Sequence, residues 1–320
     1  MKLPRPTTNT SRTLLLRKVI PLVFYLLLAL FLFLYLRTID FSKFKDITFD
    51  WPPVLFGTLL AILFRYEGTY IWLVILKGLG AKNLNDKPGL AYVYAKSWLG
   101  RYIPGTAPWI LGKIYFASRH GISKNKLAIS SLLEGGLQIT VIMIVALVLL
   151  FFDKRLDVVD QKFKFLMLIT AAICVIAMIP PLFNKIISIA YKILRRKNID
   201  ESDLAGNMVI LKGSFLYLIG AFINGLSYYY LVKGFYPEID FKDSLLIVGA
   251  ISLASSASML AFFAPSGIGV REGILLTLMS FIMPTETALL ITIVSRLWSI
   301  VCDGLFFAIA LIVMKLHTKK

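Results

Sequence analysis

Nine ionisable side chains interrupt stretches of this 320-residue chain that are otherwise apolar: Arg65, Glu67, Lys96, Arg101, Glu134, Arg271, Glu272, Arg296 and Asp303. A charge at the centre of a bilayer costs about 2.5–3.5 kcal/mol on insertion scales, so such groups face a bundle interior or a wet cavity. Arginine suits phosphate because its planar fork donates two bonds at once. Arg101, Arg271 and Arg296 are therefore candidate phosphate contacts. Glu134 and Glu272 would bind the cationic part of a head group or hold the arginines in place. Gln138 lies one turn from Glu134 on the same helix face. Arg65 and Glu67 are two residues apart, so they point to different sides of a helix and do not simply neutralise each other. With Asp303 they form a second set of candidates. Arg296 and Asp303 share a face but stand about 10 Å apart along the axis. A purely structural reading competes with this one, in which Glu134–Arg296 and Glu272–Arg271 are internal ion pairs. Under that reading Lys96 snorkels to the interface, and Trp98, Trp109 and Trp298 serve as packing or interface anchors.

Two chain breaks place these charges. The first is Trp98-Leu99-Gly100-Arg101-Tyr102-Ile103-Pro104-Gly105 and the second is Ala264-Pro265-Ser266-Gly267-Ile268-Gly269-Val270-Arg271-Glu272. Proline and glycine end helices there, and helix N-termini freed after Pro104 and Pro265 would offer backbone donors to anions. Glu134 follows Pro104 by thirty residues, and Arg296 follows Pro265 by thirty-one. Paired interrupted helices in matched positions are the sequence pointer to a midplane transport site.

The elements that must carry these breaks are membrane helices. Fifty-eight per cent of residues are hydrophobic, which places the chain among polytopic membrane proteins. Residues 19–36, 52–76, 127–152, 165–183, 213–232 and 287–314 read as six spans. Residues 88–117 and 244–283 read as re-entrant helical hairpins, allowed at depth only if buried in protein or lining a wet cavity. The run 19–36 reads as a retained first span. The longest polar loop is expected at 184–212. The fold class expected is thus an all-α polytopic membrane protein of about six spanning helices plus two re-entrant hairpins in an inverted repeat.

With residues 1–18 as a cytoplasmic tail, the proposed inside segments hold 21 Lys and Arg and the outside loops 9, the other five lying in apolar segments. That bias expects both termini in the cytoplasm of a multi-pass cell-membrane protein. Net charge is +17, with no basic run long enough for a nucleic-acid arm, so anionic lipid head groups are the expected partners.

Arg101-Tyr102-Ile103-Pro104-Gly105, Gly121-Ile122-Ser123, Glu134 and the run Pro265 to Glu272 together resemble a known family. It is the transmembrane, flippase-like region of lysylphosphatidylglycerol synthases, also found in stand-alone membrane proteins. The resemblance covers nearly the whole chain and reads 19–320 as one flippase-like domain. It implies movement of a charged lipid between leaflets. Pro104, Gly105, Pro265, Gly267 and Gly269 of the two breaks are counted with the candidate site. The chain departs from full synthases in lacking their soluble aminoacyl-transferase part, so aminoacylation is not expected.

Enzyme chemistry finds less support. The two histidines, His120 and His317, sit near basic loop ends, which supports neither a zinc site nor a histidine triad. No Gly-Lys-Thr phosphate loop is present, and no cofactor is expected. An intramembrane transferase with Glu134 or Asp303 as base would lack a positioned nucleophile. Two functions follow as expectations. One is translocation or binding of a charged lipid, either a phospholipid or a polyprenyl-phosphate-linked species. The other is a non-transporting accessory module for a lipid-modifying enzyme or glycosyltransferase.

Overall fold

The computed structural model describes residues 49–102, 107–200, 203–261, 267 and 269–318. The expected span at 19–36, the tail at 1–18, and Pro104, Gly105 and Pro265 lie outside the described residues. Among the described residues ten α-helices follow in order: α1 (Trp51–Gly78), α2 (Lys87–Trp98), α3 (Ala107–Ser118), α4 (Lys124–Phe152), α5 (Gln161–Ala177), α6 (Pro180–Arg195), α7 (Asn207–Phe235), α8 (Ser244–Leu260), α9 (Val270–Met279) and α10 (Thr285–Thr318). The chain is an all-α polytopic membrane protein. Among the described residues five helices are long and apolar enough to cross a bilayer, or six if the bent pair α5–α6 forms one span. Their outer faces carry large apolar residues at helical spacing, as in Leu55, Leu59 and Leu63 of α1 and Leu297, Val301 and Leu305 of α10. Water would not tolerate such stripes on a monomer; lipid does.

Local chemistry sets the boundaries. Asp86 caps α2 by accepting from the Gly89 N–H at 2.9 Å, and Pro88 sits in the first turn, where a missing N–H costs nothing. A short 3-10 turn, Leu99–Tyr102, closes α2 at the first break. At twelve residues each, α2 and α3 reach only about 18 Å, too short to cross. In the second break Gly267 (φ 65°) and Gly269 (φ 87°) adopt left-handed conformations that a side chain would strain. Here α8 with the turn before it, Phe241–Leu260, is long enough to cross, while α9 has ten residues.

Two expectations need correction. The span expected at 165–183 is helix α5, which starts at Gln161 and ends at Ala177. Pro180-Pro181 then restart the chain as α6, bent by 88° from α5. The prolines do not fray one span; they open a new helix, because proline is favoured in a first turn and barred from an interior. The polar loop expected at 184–212 is accordingly helical up to Arg195, and α7 resumes at Asn207.

Helix α4 is the hub, packing on α8, α5, α7, α3, α1 and α6, while α1 lies along α7. Close approach depends on small residues. A Cβ on Gly225 of α7 would sit 2.7 Å from the Val248 Cα of α8, and one on Gly57 of α1 would sit 2.7 Å from the Ser227 carbonyl oxygen of α7. Both broken pairs pack against α4 and α10. Helix α2 packs on α10 and α3 on α4, while α8 packs on α4 and α7 and α9 on α10.

Candidate functional site

Where these helices converge they line a partly open cavity of about 200 Å³. Its wall includes Arg65 of α1, Trp98, Arg101 and Tyr102 of the first break, Trp109 of α3, Gln138 of α4, Asn224 and Tyr228 of α7, Ser255 and Ser258 of α8, Gly267 and Arg271 of the second break, and Arg296 and Ser299 of α10. Four guanidinium groups thus share one small space. Among the described lining residues there is no carboxylate. The carboxylates stand behind the arginines instead.

Asp303 is the clearest of these supports. It is buried and accepts from Arg65 Nε at 2.5 Å, from Trp98 Nε1 at 3.0 Å and from the Tyr102 hydroxyl at 2.5 Å. Arg65 further donates from Nη1 to the Ala61 carbonyl at 2.8 Å and from Nη2 to the Ser299 carbonyl at 3.1 Å. One carboxylate therefore ties α1, α2, the 3-10 turn and α10 together. A buried charge with this many donors is tolerated where a bare one would not be. Trp98 also stacks beneath Arg101, whose guanidinium carbon lies 4.0 Å from the ring centroid, a favourable cation–π geometry.

Glu272 supports the second break. Its Oε2 accepts from the Gly269 N–H at 2.8 Å, capping α9. Its Oε1 accepts from Arg296 Nη1 and lies 3.7 Å from Arg271 Nη1. Arg271 Nη2 donates to the Tyr228 hydroxyl at 2.9 Å and the Ser295 hydroxyl at 3.3 Å. Its Nη1 is buried without a hydrogen-bond partner. Of the two roles expected for Glu272, this geometry shows it holding arginines.

Glu134 is placed elsewhere. It does not line the cavity and does not meet Arg296. It is wholly buried beside Lys113 of α3, which donates to its Oε2, while the Tyr94 hydroxyl donates to Oε1 at 2.7 Å. The Lys113 ammonium also lies 3.7 Å from the Trp109 ring centroid and 5.1 Å from that of Tyr94. The Glu134–Arg296 pair of the competing structural reading does not form; two other pairs stand in its place, Glu134–Lys113 and Glu272–Arg296. Lys113, counted with a basic inside segment on sequence, is a buried residue.

The structure brings Arg65, Arg101, Gln138, Gly267, Arg271 and Arg296 to the cavity wall, with Asp303 and Glu272 directly behind. Gly269 caps α9 beside it. Glu67 lines a separate small void, together with Tyr94 and Tyr217. Lys96 is exposed and lies 4.2 Å from the Phe116 ring centroid. Sequence reasoning missed Lys113, Tyr102 and Tyr228. Tyr102 carried a signal, since it stands next to Arg101 in the first break; Tyr228 carried none, in a helix with three consecutive tyrosines. Trp98 and Trp298 prove to be packed inside, each donating an indole N–H, to Asp303 and to the Thr58 hydroxyl at 2.9 Å respectively.

The family model described as the lysylphosphatidylglycerol synthase TM region matches residues 19–305. No curated protein matches the chain, and no solved structure matches it. A match over that much of 320 residues, containing both breaks and every arginine of the cavity, establishes that the chain belongs to the lysylphosphatidylglycerol synthase transmembrane-region family.

Proposed function

We propose that the cavity receives the phosphate of a charged lipid and that the protein moves that lipid between leaflets. The observation that carries this reading is the wall of four arginines, Arg65, Arg101, Arg271 and Arg296, with Asp303 set behind Arg65 and Glu272 behind Arg271 and Arg296. A low-dielectric space lined by guanidiniums favours an anion strongly. Tails would stay in lipid while the head group crosses through the polar centre. The two series α1, α2–α3, α4 and α7, α8–α9, α10 share the order long helix, broken pair, long helix, although α8 is longer than α2; that order supports an inverted repeat around one midplane site. The lipid phosphate belongs to a phospholipid or to a polyprenyl-phosphate-linked species.

Reconstitution tests it. In proteoliposomes bearing a fluorescent phosphatidylglycerol, leaflet exchange should exceed that of protein-free vesicles and fall in Arg271→Ala. Exchange at the protein-free rate overturns the reading.

A second reading rests on the family description, which names one region of a synthase. The chain would then present a lipid to a separate lipid-modifying enzyme or glycosyltransferase. Co-purification with such an enzyme, and loss of its activity on deletion without any exchange by the purified chain, would select this reading over the first.

A further inference from the structure

Glu67 lies on α1, two residues from Arg65, yet the cavity machinery does not use it. Both of its carboxyl oxygens are buried and neither has a hydrogen-bond partner. The carboxyl nests against α7 where Gly220 leaves room, since a Cβ there would sit 2.4 Å from Oε2. The Gly220 N–H is in mid-helix and committed to its own ladder. Beside Glu67 is a void of about 10 Å³, near the lower limit for one water. The Tyr217 hydroxyl, on the same void, is also buried without a partner. Two unsatisfied polar groups around a water-sized space are the signature of a bridging water or an exchangeable proton.

Apart from Tyr217, the charged and titratable groups around this void are committed elsewhere. Arg65 on α1 turns to Asp303 of α10. Tyr94 of α2 is bonded to Glu134 of α4, which is itself paired with Lys113 of α3. From α7 there is Tyr217. Among the described residues no cation lies within ion-pair distance of Glu67. The void and the arginine cavity share the walls Phe64, Arg65, Trp98 and Gln138.

We infer that Glu67 is a proton-binding site whose occupancy sets the anion affinity of the neighbouring cavity. A bare carboxylate there would bear its desolvation cost with no cation to offset it; taking up one proton as Glu67–COOH removes that charge, and Tyr217 with one water completes its bonds. The same proton removes a negative charge from beside the arginine wall, so anion binding and proton binding strengthen each other. This inference rests on the cavity being the lipid-phosphate site.

The test uses the full chain in detergent with dihexanoyl-phosphatidylglycerol as probe. Wild-type affinity should fall about tenfold as pH rises, the order expected of one unit charge acting through a partly polar interior. Glu67→Gln should keep the wild-type low-pH affinity at every pH. In weakly buffered solution, wild-type protein should also take up protons as the probe binds, a readout that needs no variant. Equal pH dependence in wild type and Glu67→Gln, or binding without proton uptake, overturns the inference and leaves the cavity reading standing. Absence of probe binding at every pH overturns both.

Discussion

Lys113 of α3 and Glu134 of α4 form an ion pair with no solvent exposure at either side chain. The pair locks the second arm of the first broken element to the long helix that follows it. Glu272 of α9 and Arg296 of α10 make the corresponding contact in the second half, with the charges reversed. The first pair is sealed behind aromatic rings, whereas Arg296 of the second lines the cavity.

That burial predicts a steep, non-additive stability response. Lys113→Met or Glu134→Leu alone should each cost about 3–5 kcal/mol by stranding the other charge. The double variant should recover most of the loss, because both desolvation costs disappear together. Thermal unfolding of the purified variants in detergent measures this cycle. Additive losses would show that the two residues do not act as a pair.

Arginine geometry, and not charge alone, should matter at the cavity. Arg271→Lys keeps the charge but loses the fork that reaches Tyr228 and Ser295. The initial rate of lipid exchange should fall about tenfold, the scale of one charge-assisted hydrogen bond, with the unfolding temperature little changed. An unaltered rate would place Arg271 outside the transport path.

Asp303 should tolerate no exchange of charges with Arg65. In Arg65→Asp with Asp303→Arg, the indole N–H of Trp98 and the hydroxyl of Tyr102 would face a guanidinium that has no acceptor to offer. The swap should therefore remain at least as unstable as either single variant, each down by about 3 kcal/mol. Size-exclusion profiles and thermal unfolding read the outcome. Recovery in the swap would mean that the ion pair alone matters.

Outside the membrane segments, Asp153 caps the end of α4 and answers to acid. Arg155 donates to it from Nε at 2.8 Å and Nη2 at 2.7 Å, and this holds its carboxyl below the ordinary carboxylate range. A folded value below the unfolded one of about 4 contributes stability above that pH, lost as pH falls through the folded value. Asp153→Asn should lower stability at neutral pH and flatten the acid limb of the stability profile. A profile with an unchanged acid limb would assign acid sensitivity to other carboxylates.

Much of the architecture was legible because it is local. Hydropathy located α1, α4 and α10 to within four residues and the start of α7 to within six, and glycine with proline located both breaks. The α5–α6 corner was misread because Pro180-Pro181 signals an interruption in sequence without saying whether the chain frays or turns into a new helix. The lipid-facing residues that follow, such as Ile186 and Ile189, are as apolar as those of a span.

The sequence by itself determined that this chain is a helical membrane protein, where its helices break, and that arginines stand at or near those breaks, since these follow from residue type and short spacing. Only the tertiary structure decided which charges are partners. Arg65 meets Asp303 across 238 positions and Arg296 meets Glu272 across 24, while Glu134 turns away from the cavity to Lys113. The reason is physical: a buried charge is satisfied by whichever helix face lies against its own, and that face is chosen by the packing of the whole bundle, through close approaches such as those at Gly57 and Gly225.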